Sequence, residues 1–103
     1  MKIAALWITD KVNFEILDVQ KEENYITWKN KFLGRTSLTE YELGMVLRPD
    51  EDSVNEYIVF DYPENKEKMK EILMKELNFE TNYLERELAS LKNKINLLEG
   101  NKQ

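Results

Sequence analysis

Apolar residues near the start of the chain alternate or run together over short stretches, whereas those after Pro63 recur every three or four residues, so strands give way to helix. Over residues 2–9, Ile3, Ala5 and Trp7 share one face of an extended segment and Ala4, Leu6 and Ile8 share the other. That pattern predicts a central strand covered on both sides. A polar turn over 10–13 leads into a second strand over 14–20, and Lys21, Glu22, Glu23 and Asn24 turn the chain into a third over 25–32. Connections this short predict an antiparallel meander. Tyr41, Leu43, Met45 and Leu47 alternate with Glu42, Gly44 and Val46 and predict a fourth strand. Ser37 and Glu40 stand at capping-box spacing and offer a competing short helix over 38–47, weakened by Gly44 in its interior. A polar loop over 48–56 then precedes a fifth, β-branched and aromatic strand ending at Tyr62.

Asp61 and Glu64 flank Pro63, which suits a helix start. Neither proline nor glycine follows until Gly100, so one helix is predicted over 63–98, with a disordered tail over 99–103. At 1.5 Å per residue it is about 50 Å long, more than a domain made from the first 62 residues can cover. From residue 74 it carries a coiled-coil heptad seam. Met74, Thr81, Leu88 and Ile95 occupy one core position, and Leu77, Leu84, Leu91 and Leu98 the other. These eight residues are the predicted oligomer interface. In a parallel pair the flanking contacts would be Glu80 with Glu85, which repel, and Glu87 with Lys92 and Lys94 with Glu99, which attract. No buried asparagine or lysine fixes the register or the strand number, and Thr81 weakens the seam. A homodimer is favoured, with trimer and tetramer open and parallel and antiparallel pairing both open. Two accounts compete with pairing: a helix lying wholly on its own sheet, or a break at 78–81 that folds the last segment back as a hairpin. A second stripe, Met69, Ile72, Phe79 and Tyr83 with Leu73 at its edge, is the face expected to dock on the sheet.

The fold class is therefore α+β: an N-terminal antiparallel sheet of about five strands over 1–62, then a long helix. The chemistry is narrow. Among 103 residues there is no histidine and no cysteine, which removes the usual neutral-pH proton shuttle, thiol nucleophiles and the commonest metal ligands. No catalytic residue, cofactor or metal is expected. The net charge of −5 resides before residue 64, where 12 acidic side chains face 7 basic ones; the remainder holds 8 of each. In basic-region zippers the helix runs into a dense cationic stretch, but here Lys66, Lys68, Lys70 and Lys75 are matched by Glu64, Glu67, Glu71 and Glu76. Nucleic acid is therefore not the expected partner. Trp7, Tyr25, Trp28 and Phe32 could stack bases, but in an acidic domain they read better as core. Asp50, Glu51, Asp52 and Glu56 form an acidic surface that could engage a protein partner or imitate a phosphate backbone.

No segment has the length of a membrane span, and the apolar run over 3–8 is too short for a signal peptide, which makes a cytoplasmic protein the expectation. A composition rich in Lys, Glu, Asn and Ile resembles that of proteins from low-GC bacteria and their phages. The expected function is a non-enzymatic, homo-oligomeric interaction module: an adaptor, a regulator or a phage-type inhibitor of a host protein. The alternatives are a nucleic-acid-associated transcriptional regulator and an assembly protein of a larger particle.

Overall fold

Among the described residues the chain forms seven strands, and the first of them is covered on both faces. The computed structural model describes residues 1–48 and 57–100, and within them strand β1 (Lys2–Ile8) lies inside a four-stranded antiparallel sheet. Its neighbours are β2 (Val12–Asp18) and β7 (Ile58–Asp61), and β6 (Val46–Leu47) completes the order β2-β1-β7-β6. The remaining strands, β3 (Gln20–Glu22), β4 (Tyr25–Phe32) and β5 (Arg35–Thr39), make a second antiparallel sheet in sequence order. Helix α1 (Lys66–Gly100) follows a 3-10 turn over Pro63–Asn65, so the fold is α+β in three layers. Glu99 and Gly100, expected in a tail, are helical, and residues 101–103 lie outside the described residues.

The four-stranded sheet is the middle layer. Ile3 and Ala5 of β1, with Ile58 and Phe60 of β7, pack against Val19, Ile26 and Leu38 from the direction of the smaller sheet. Ala4 and Leu6, with Tyr57 and Val59, pack against Met69 and Leu73 of α1. Thus the two-sided apolar strand is covered on both faces, as its pattern predicts. The single meander is not found. Val19 bends the chain out of the first sheet, donating its N–H to the Met1 carbonyl at 2.9 Å, and β4 pairs with β3 and β5 instead of with β2. Trp28 and Phe32 of β4 join the inter-sheet core, where Phe32 meets Trp7 edge-on at 5.3 Å and Trp28 meets Phe60 at 5.7 Å. Three of the four candidate stacking rings are thereby packed, partly buried, against the inter-sheet core; Tyr25 is exposed.

Between Thr39 and Val46 the predicted fourth strand is mostly replaced. A 3-10 turn spans Glu40–Glu42, and only Val46–Leu47 is extended against β7. The serine/threonine-to-glutamate spacing that locks the turn is Thr39 to Glu42, two residues beyond the Ser37 and Glu40 pair. Glu42 Oε1 accepts from the Thr39 N–H at 2.9 Å and from its hydroxyl at 2.8 Å, and Oε2 accepts from Arg35 at 3.1 Å. Burial pushes the Glu42 carboxyl up, but these donors and the Arg35 charge outweigh it and leave its pKa below the ordinary value of 4.5. Gly44 ends the turn at φ +76 and donates its N–H to the Phe60 carbonyl at 2.7 Å. Beside it, buried Asp61 accepts from the Tyr62 N–H at 2.8 Å and the Asn65 amide at 3.2 Å, fixing the junction between β7 and the helical segment.

Two outcomes follow from this corner. Gly44→Ala forces an L side chain into the left-handed region with its Cβ 3.3 Å from Asp61 Oδ2, and should cost about 1–3 kcal/mol in urea unfolding at fixed chain concentration. Folded Glu42 holds its proton less tightly than the unfolded chain does, so its stabilisation is complete above pH 4.5 and is lost as pH falls below it. A melting series from about pH 6 to about pH 3 should show a shallower acid loss in Glu42→Gln than in the parent.

Candidate functional site

Among the described residues, the helix is tied to the domain over its first fifteen residues. Met69 and Leu73 are the side chains of α1 that are fully withdrawn from water, with Ile72 and Leu77 packed beside them. Lys66 places its ammonium 4.5 Å from the centre of the Phe14 ring, joining the helix start to β2. The last tie is Arg48, which stands over the Tyr57 ring at 5.3 Å and donates to Glu80 at 3.3 Å. Beyond it, residues 81–100 are exposed throughout. The molecule measures 69 × 25 × 25 Å, and its radius of gyration of 19.0 Å compares with about 13 Å for a compact chain of this length.

Phe79 and Tyr83, expected on the sheet, do not reach it and are 65% and 52% exposed. The docking row is Met69, Leu73 and Leu77, spaced by four, and it faces the sheet only as far as the sheet extends. α1 is continuous through 78–81, so the fold-back hairpin does not form. Thr81 stays helical with its hydroxyl bonded to the Leu77 carbonyl at 2.8 Å, which leaves its methyl as the outward feature.

Of the eight predicted interface residues, Leu77 packs against the chain's own sheet, and Met74 is exposed beside Lys70 and Glu71. Thr81 begins the free segment. Leu84, Leu88, Leu91, Ile95 and Leu98 line one helix face with 53% to 71% of each side chain in water. No family model matches the chain, and no curated protein or solved structure matches it either.

Elsewhere the surface offers less. A cleft of about 530 Å³ lies where the two sheets part, lined by Met1, Asp18, Gln20, Thr27, Trp28 and Lys29. Its Trp28 indole N–H is already taken by the Arg35 carbonyl at 2.8 Å, and among the described residues no buried side-chain polar atom lacks a partner. No described group of three or more carboxylates is gathered as a metal site would need. The acidic residues Asp50, Glu51, Asp52 and Glu56 lie outside the described residues. No described helix is long and apolar enough to cross a membrane.

The division of α1 into a docked and a free half is open to measurement. Met69→Ala or Leu73→Ala removes fully buried volume and should cost about 2–5 kcal/mol in denaturant unfolding. Phe79→Ser should change stability by no more than about 0.5 kcal/mol, because that ring has little to lose. Equal losses at Leu73 and Phe79 would contradict the assigned docking face.

Proposed function

We propose that this chain is a non-enzymatic interaction module of the cytoplasm that works as a homodimer, with the free half of α1 as its pairing device. One observation carries the reading: five large aliphatic side chains occupy a single face of a helical segment that its own domain leaves uncovered. An isolated helix of some 20 residues is marginal in water, so a segment of this length gains its stability from packing along an apolar face. Burying each such residue stabilises the pair by roughly 1.5–3 kcal/mol per chain. The lack of histidine and cysteine supports a reading in which the surface, and not a reactive group, is the source of function. Pairing also doubles the number of domains offered to a protein partner, which raises avidity without any new contact. The absence of cysteine suits a reducing compartment.

Light scattering on a sizing column supplies the test. The parent chain should elute with the mass of two chains, and Leu84→Glu with Leu91→Glu in one chain should elute with the mass of one, its sheet signature in circular dichroism intact. A dimer that survives the double change would remove the leucine face from the interface.

A further inference from the structure

Resting on that reading, we infer that the two helices pair antiparallel, with residues 81–98 of one chain laid against residues 98–81 of a second copy. Steric and charge features of the molecule favour this direction, and the length of the free segment accommodates it.

The first is steric. Leu77 belongs to the same seven-residue row as Leu84, Leu91 and Leu98, and residues seven apart on a helix overlie each other with a drift of only about 20°. Leu77 packs on the chain's own four-stranded sheet. The domain therefore sits on the very side of α1 that the leucines occupy farther along. A partner helix running in the same direction would meet that sheet as soon as it passed residue 80, and its own domain would compete for the same space. A partner running oppositely lays its residues 81–98 along the free half and carries its own domain at the far end.

The second is length. Antiparallel coils pack one heptad core position against the other, and a single register matches all six core positions of the free segment. Thr81 faces the partner's Leu98, Leu84 faces the partner's Ile95, and Leu88 faces the partner's Leu91. No core position is left over, and none is taken from the docked half.

The third is charge. In this register the flanking contacts are Glu87 with the partner's Lys94 and Glu85 with the partner's Lys92, each occurring twice by symmetry, and all are attractive. The parallel alignment also gives two attractive contacts, Glu87 with the partner's Lys92 and Lys94 with the partner's Glu99, but it adds the repulsion of Glu80 and the partner's Glu85, which the Arg48 charge beside Glu80 offsets only in part.

The chain has no cysteine, so introduced thiols report direction cleanly. Thr81→Cys and Leu98→Cys are prepared as separate full-length proteins and oxidised alone and as a mixture in a glutathione buffer. The mixture should give a covalent dimer on a non-reducing gel, and neither protein alone should do so. Self-crosslinking of Leu98→Cys would establish the parallel pair and overturn the inference, as would a dimer that crosslinks in none of the three samples. Glu85→Lys provides a second reading that leaves the core untouched. Antiparallel pairing predicts dimerisation roughly tenfold weaker, restored when Lys92→Glu is added, because two attractive contacts become repulsive. Parallel pairing predicts that Glu85→Lys binds at least as tightly as the parent. A mass of one chain for the parent at every concentration would instead defeat the homodimer itself, which separates failure of pairing from failure of direction.

Discussion

Met69 and Leu73 are the side chains of α1 that lose all contact with water, and they lose it against Ala4, Leu6 and Val59. That packing decides most of what the molecule can do. It covers the second face of the four-stranded sheet, without which β1 and β7 would present an apolar surface on the side away from the smaller sheet. It also fixes the rotation of the helix about its own axis, and a rigid helix transmits that rotation to every later residue. The direction in which Leu84 to Leu98 point was thus settled fifteen residues earlier, by the contact that closes the core.

The small side chains at the centre of β1 make the three layers possible. Ala4 and Ala5 face opposite ways, one toward the helix and the other toward the second sheet, and both are wholly buried. Neighbouring large residues, Phe60 on one side and Met69 on the other, fill the space that alanine leaves. The β7 strand is likewise buried along its full length, and its last residue, Asp61, turns the chain into the helix through its bonds to Tyr62 and Asn65. One short strand therefore joins both cores and aims α1.

What the sequence disclosed follows from where a single physical signal dominated. β1 was legible because six consecutive apolar residues leave no solvent face, and α1 because nothing between Pro63 and Gly100 breaks a helix. β5 was not legible, since Leu38 is its one apolar residue; the signal that could have found it is the Leu33 and Gly34 turn, both at positive φ, which closes a tight hairpin onto β4. β3 is three polar, exposed residues held by pairing with β4 and by the Lys21 to Glu40 ion pair at 2.8 Å, and no periodicity marks it. Phe79 stays in water because it lies off the helical phase of Met69, Leu73 and Leu77, and Tyr83 because it lies beyond the Arg48–Glu80 contact. A heptad row carries no mark at the residue where the domain stops, so the packing of Leu77 on the sheet is not legible in the sequence.

That end point also answers a question the heptads leave open. Coiled coils commonly use a buried polar residue to hold one register, and this seam has none among its six free core positions apart from Thr81, whose hydroxyl is already bonded to its own helix. A seam without a buried polar anchor is open to slipping by whole heptads. In the proposed antiparallel pair, a slip that lengthened the overlap would press residues 98–100 of each helix against the partner's domain along its docked half. A slip that shortened it would expose leucine and break the pairs of Glu85 with Lys92 and Glu87 with Lys94. In such a pair the domain would act as a mechanical stop in one direction and the loss of apolar contact would resist the other, so register would need no buried polar group.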